Sequence, residues 1–213
     1  MKLPSVLLAD DHSVILAGVR GLLGTCCEIL GQVSDGRSLV QEALRLRPDV
    51  VLLDVSMPLL NGIDAARQIK KEWPQAKLLF LSMHTSPVYL REALHAGGCG
   101  YLLKSSAAEE LRTAVEAVLK GKVYIAAAFG QTILHSLFTP TGRHARASNQ
   151  LTERQREVLQ LIAEGRSNKE VAAILNVSVK TVEFHRGRIM TKLGVHTAAE
   201  LATFAARERL VDE

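Results

Sequence analysis

A doubly wound α/β domain followed by an all-helical domain is the architecture that the sequence predicts, on three observations. Short apolar runs alternate with helically spaced stretches through the first 122 residues. A polar stretch containing Pro and Gly, TPTGRHARASNQ, then interrupts the pattern. From residue 151 onward no strand-like run remains, and helix-capping signals recur instead.

The runs VLLA, EILGQV, VVLL, KLLFL and GYLL read as strands buried on both faces and therefore parallel. Helical spacing fills 13–23, 37–46, 62–72, 87–96 and 107–120. Pro48 and Pro74 stand where helices should stop, and Gly97, Gly98 and Gly100 open the turn into the fifth strand. Five βα units indicate a flavodoxin-like (βα)5 domain over 1–122 with strand order 2-1-3-4-5. Residues 123–148 read as a linker, with a short helix over 123–138.

The last domain, 149–213, reads as four helices at 153–164, 168–175, 179–193 and 197–207. Thr152/Gln155, Ser167/Glu170 and Thr197/Glu200 each match a capping box, and Ser178 suits a further N-cap.

Charge has to be located before it is informative. Residues 1–122 carry 14 Lys+Arg against 13 Asp+Glu, and 149–213 carry 10 against 9, so overall charge argues only weakly for nucleic acid. No apolar run approaches the roughly 20 residues that span a bilayer, and the apolar start after Lys2 is too short for a signal peptide. The expectation is a cytoplasmic protein without a membrane partner. Cys26, Cys27 and Cys99 have no metal-ligand or redox-motif spacing and read as packed thiols.

LLADDH places Asp10 and Asp11 side by side after the first strand. Alone, that pair could be an acidic turn or a helix cap. Asp54 ends the third strand, Ser82 the fourth and Lys104 the fifth, so these residues share the rim where α/β sheets bind ligands. Three carboxylates need a cation, and an all-oxygen set suits Mg²⁺. With a lysine added, the set suits a nucleophilic aspartate that forms an aspartyl-phosphate.

LLADDH, LLDVSMPLLNG, LSMH and GYLLK resemble the receiver domain of two-component response regulators, over roughly 1–122. The resemblance implies that Asp54 is the phosphoacceptor and that Asp10, Asp11, Asp54 and the Ser56 carbonyl hold Mg²⁺. It further implies that Lys104 contacts the phosphoryl group, that Ser82 is the switch hydroxyl and that Tyr101 turns inward when the Ser82 loop moves. Pro58 and Gly62 would shape the loop presenting Asp54, and Ser56 and His84 lie where side chains modulate acyl-phosphate hydrolysis. His12 receives no chemical role. The phosphodonor would be a sensor histidine kinase, and the only enzymatic steps would be self-phosphorylation and slow autodephosphorylation.

In the second domain, NKEVAAILNVSVKTVEFHRGRIMTKLG has a helix-turn-helix layout. At 100° per residue, Val182, Ile189 and Leu193 form one stripe, with Val179 and Met190 at its edge. The opposite face presents Lys180, Glu183, Phe184, Gly187, Arg188 and Thr191. An outward aromatic can touch a thymine methyl, Gly187 allows close backbone approach, and Lys180, Glu183 and Arg188 can reach base edges or phosphates. Thr181, Lys192 and Lys169 would anchor phosphates. This segment and LTERQREVLQLIAEGRSNKEVAAIL resemble the DNA-binding domain of the LuxR/NarL/FixJ class, over about 151–201. The resemblance implies base contacts from Glu183, Phe184 and Gly187 to promoter half-sites in double-stranded DNA. Homodimerisation on activation and RNA polymerase as a further partner are also implied. Ala198, Leu201 and Ala205 form a small-residue stripe suited either to that dimer or to the domain's own core.

The expected function is a phosphorylation-controlled transcription factor in which the unphosphorylated receiver masks the reading helix or prevents dimerisation. The alternative is a phosphorylation-independent DNA-binding regulator whose receiver serves only to dimerise. An aspartyl-phosphate phosphatase would need an acid two residues after Asp54, where Ser56 stands.

Overall fold

The computed structural model describes residues 2–130 and 150–207. The first domain runs β1 (Ser5–Ala9), α1 (Ser13–Leu23), β2 (Glu28–Val33), α2 (Gly36–Leu46), β3 (Val50–Leu53), α3 (Gly62–Glu72), β4 (Leu78–Ser82), α4 (Pro87–His95), β5 (Gly100–Leu103) and α5 (Ala107–Leu119). The strands pair in parallel in the order β2-β1-β3-β4-β5, as the alternating pattern requires. Helix α1 packs on α5, while α2 packs on α3 and α3 on α4.

Strand residues 6–9, 50–53, 78–81 and 100–103 are buried on both faces, which is why they read as unbroken apolar runs rather than alternating ones. Helix α2 ends where Arg47 turns left-handed just before Pro48, and Gly97, at φ +91°, makes the turn after α4. Tyr124–Ile125 adds a short strand, β6, parallel to β5, within the stretch read as linker. In the first half of the helix expected over 123–138 stand β6 and a single 3-10 turn at Ala127–Phe129, and 131–138 lie outside the described residues.

The second domain is α6 (Glu153–Ala163), α7 (Asn168–Leu175), α8 (Val179–Leu193) and α9 (Ala198–Arg207). Thr152 and Ser167 form reciprocal capping boxes with Gln155 and Glu170, and Ser178 accepts from the Thr181 N–H. At α9, Thr197 accepts from the Glu200 N–H, but Glu200 reaches back to the His196 N–H instead. Val158, Leu161, Val171, Val182, Ile189, Leu201 and Ala205 build its core. Leu201 and Ala205 are fully buried there, so these two residues face the domain's own core and not a dimer partner.

Candidate functional site

The parallel ladder builds the acidic rim. Ala9 stands in register with Leu53, and the Asp54 N–H donates to the Ala9 carbonyl at 2.9 Å. Asp10 and Asp54 therefore leave adjacent strands side by side. Lys104 Nζ, from the end of β5, lies 2.6 Å from Asp54 Oδ2 and 2.8 Å from Asp10 Oδ2. The Val55 N–H holds the other Asp54 oxygen at 2.6 Å.

Burial pushes the Asp54 carboxyl up to about 6, against the pull of Lys104. Burial works against the Lys104 charge too, but Asp54 and Asp10 outweigh it and hold the ammonium above its usual range.

Ligand atoms of Asp10, Asp11, His12 and Asp54 all lie within 4.8 Å of one another. Asp10 Oδ2 is buried and, although beside Lys104, completes no well-formed hydrogen bond. A buried carboxylate oxygen with spare valence among three acids fits a hard divalent cation. His12 has a place that sequence reasoning missed: its Nδ1 is 2.8 Å from Asp11 Oδ1 and 3.2 Å from Asp10 Oδ1, and its N–H donates to Asp10.

Ser82 is fully buried at the end of β4, and its hydroxyl accepts from the His84 N–H. His84 Nε2 lies 2.9 Å from Ser56 Oγ, and its ring stacks on Tyr89 with centroids 4.1 Å apart. Tyr101 is fully buried, edge-on to Phe129, and its hydroxyl donates to the His84 carbonyl. The ring is thus turned inward in this structure.

On α8, Val182 and Ile189 are fully buried while Lys180, Glu183, Phe184, Gly187, Arg188, Thr191 and Lys192 are exposed. Phe184 is 57% exposed, with the Arg188 guanidinium 5.0 Å from its ring centre. A Cβ at Gly187 would meet nothing within 4 Å, so the protein itself does not require glycine there. Thr181 is tied to Ser178, and Thr191 donates to the Gly187 carbonyl. Lys192 Nζ donates to the Gln150 carbonyl and to Gln155, so in this arrangement it braces the start of α6. Lys169 borders a neighbouring hollow with Arg166 and Arg186, which Glu183 of the reading face also lines.

Comparisons with known proteins agree with this layout. Residues 6–116 match the response regulator receiver domain, and 149–205 match the bacterial regulatory proteins of the luxR family. The chain is 36% identical to the oxygen regulatory protein NreC of Staphylococcus carnosus (strain TM300), covering 97% of this chain and 99% of NreC. It is also 36% identical to the transcriptional regulatory protein MctR of Rhizobium johnstonii, covering 98% and 95%. The chain is a two-component response regulator of the LuxR-type helix-turn-helix class.

Among solved structures, this regulator resembles RcsB of Salmonella typhimurium with a TM-score of 0.65 at 27% identity, over the full length of both chains. It also resembles an RcsB–DNA complex, with a TM-score of 0.58 at 28% identity over 96% of this chain and 98% of that one. Like its family, the regulator is a transcription factor and not a classical enzyme. Among the described residues no helix is long and apolar enough to cross a membrane.

Sequence reasoning missed the joint between the regulator's two domains. Arg156 on α6 pairs with Asp64 on α3 at 2.8 Å, and Glu157 takes Arg37 and Gln68. Gln160 bonds the backbone at Met57 and Asn61, and Glu164 accepts from the Leu59 N–H. Arg156, Glu157 and Gln160 are buried by these contacts, although polar residues on a helix ordinarily read as its solvated side. The joint leaves the reading face of α8 open, so the expected masking of that helix is not what the receiver does here.

Proposed function

We propose that this response regulator accepts a phosphoryl group on Asp54 from the phosphohistidine of a sensor kinase and thereby controls DNA binding by α8. The observation that carries the reading is the convergence of Asp10, Asp54 and Lys104 within 2.8 Å contacts on one buried rim. An Asp54 oxygen attacks phosphorus, forming a P–O bond as the P–N bond to the histidine breaks. Lys104 meets a phosphoryl oxygen as charge moves off the donor. Asp10, Asp11, Asp54 and the Ser56 carbonyl would hold Mg²⁺, which when bound neutralises phosphoryl charge. The new phosphoryl oxygens draw in the Ser82 hydroxyl, which now holds the His84 N–H, and that exchange moves the segment leading into α4.

On this reading the unphosphorylated receiver restrains the second domain by holding α6, and phosphorylation frees it to pair with another copy on DNA. The structure of two RcsB dimers bound to two parallel DNAs supports such pairing within the family. Lys180, Glu183, Phe184, Gly187 and Arg188 would read base edges and phosphates, while Lys169, Thr181 and Thr191 would fix register on the backbone. RNA polymerase would be the downstream partner.

The test is selection of DNA fragments by the full chain, with and without acetyl phosphate and Mg²⁺, alongside Asp54→Asn. Binding should rise with phosphodonor in the wild type only. Equal binding in every condition would favour a phosphorylation-independent regulator.

A further inference from the structure

The loop that follows Asp54 does not satisfy its own backbone. Gln160, on α6 of the DNA-binding domain and fully buried, accepts from the Asn61 N–H at 2.8 Å and from Asn61 Nδ2 at 3.1 Å. Its amide nitrogen donates to the Met57 carbonyl and to Glu164 Oε1, both at 2.9 Å. Glu164 Oε1 in turn accepts from the Leu59 N–H at 2.9 Å. Three backbone groups between Met57 and Asn61 thus depend on two side chains of the other domain.

Leu59 is also held in a left-handed conformation, φ +65°, and its side chain packs against the second domain's core. A bulky residue persists in that conformation only where its surroundings impose it. Here those surroundings are Glu164 and the effector core. The strained segment begins three residues after Asp54 and one residue after Ser56, whose carbonyl would be a cation ligand.

We propose that Gln160 and Glu164 are positioning residues of the phosphoryl-accepting site, holding the 57–61 loop so that the docked DNA-binding domain disfavours the phosphorylated state. The proposal rests on the reading of Asp54 as the phosphoacceptor. Its physical content is reciprocity: if phosphorylation loosens the joint, the joint must weaken phosphoryl binding by the same factor. The DNA-binding domain is therefore an input to the receiver as well as its output.

The probe is fluoroberyllate, a phosphoryl mimic, titrated calorimetrically into the full-length chain at saturating Mg²⁺. Gln160→Ala should bind it at least about fivefold more tightly than wild type. Glu164→Ala removes the Leu59 bond and the Gln160–Glu164 bond but leaves Gln160 its bonds to Met57 and Asn61, so it should shift the affinity the same way by less, which keeps the test decisive if Gln160→Ala folds poorly. X-ray scattering on the same samples should show a larger radius of gyration for the variant with tighter binding. Affinity unchanged within twofold, or weaker, would overturn the proposal. Wild-type protein that binds no fluoroberyllate, or binds it equally as Asp54→Asn, would instead bring down the phosphoacceptor reading, and the proposal with it.

Discussion

Arg156 Nε lies 2.8 Å from Asp64 Oδ1, and the pair is buried although one residue belongs to each domain. Asp64 also receives Arg67 at 2.7 Å, and the other arm of Arg67 reaches Glu92 on α4 at 2.7 Å. A continuous line of charge-assisted contacts therefore joins the DNA-binding domain to the helix that follows Ser82 and His84. Such a line gives the proposed movement of that segment a physical route to the joint.

The first prediction is that Arg156→Ala opens this joint without unfolding the receiver. Asp64 keeps Arg67, and once the domains part, water replaces Arg156. Breaking a buried pair costs about 3–5 kcal/mol when the charge stays buried; with resolvation the cost should fall to about 1–2 kcal/mol. Scattering should show an expanded particle, while circular dichroism retains the helix and strand content. An unchanged radius of gyration would mean the remaining contacts, Gln160 and Glu157 among them, hold the joint alone.

The second concerns Asp54 in metal-free protein. Its folded carboxyl keeps a proton up to about pH 6, whereas an unfolded aspartate loses it near 3.8. Between those values the native state binds more protons than the unfolded one, so stability falls as pH rises through that window. The rise from 3.8 to about 6 corresponds to roughly 3 kcal/mol, which sets the ceiling. Asp54→Asn should remove this pH dependence and be more stable than wild type at pH 7 in urea titrations with chelator present. A variant less stable than wild type at pH 7 would show that the Lys104 contact outweighs the burial.

These residues also mark how far the sequence could be read. The strands were legible because burial on both faces leaves no alternation to confuse them, and α6 to α8 because their caps are spelled out locally. Asp10, Asp54, Ser82 and Lys104 were legible because a parallel sheet collects strand ends on one rim. The joint was not: Arg156, Glu157, Gln160 and Glu164 follow the spacing of a solvated helix face, and only tertiary contact gives them buried partners. Leu59 looked like an ordinary loop residue, since nothing local forces a leucine to positive φ. A lone histidine after two acids carries no spacing signal, which is why the sequence assigns His12 no role. The inward position of Tyr101 depends on Phe129 and the His84 carbonyl, both remote in sequence.

The third prediction separates reading from anchoring on α8, under the proposed function. Phe184→Ala removes an exposed aromatic that supports no core contact, so the fold should be unaffected while affinity for the selected site drops by about 1–3 kcal/mol. Lys180→Ala should weaken binding and, if Lys180 meets a phosphate, lower the slope of log affinity against log salt by about 1. Titrations on selected and scrambled duplexes at several salt concentrations distinguish the two. If Phe184→Ala weakened both duplexes equally, the ring would not be reading sequence.

The last prediction contrasts two glycines. A Cβ on Gly62 would sit 1.8 Å from the Asp54 carbonyl oxygen, and backbone on both sides leaves no flexible group to yield. Gly62→Ala must therefore push α3 away from the acidic rim, costing about 3 kcal/mol of stability and, under the proposed function, weakening Mg²⁺ binding as read by titration. At Gly187 a Cβ meets nothing within 4 Å, and the position lies inside a regular helix. Gly187→Ala should accordingly stabilise the protein by about 0.5–1 kcal/mol through helix propensity. If the open space at Gly187 exists for close approach to DNA, that more stable variant should bind its site more weakly. Thermal melts and duplex titrations on the one variant then give opposite signs, which a glycine without a role at the interface would not produce.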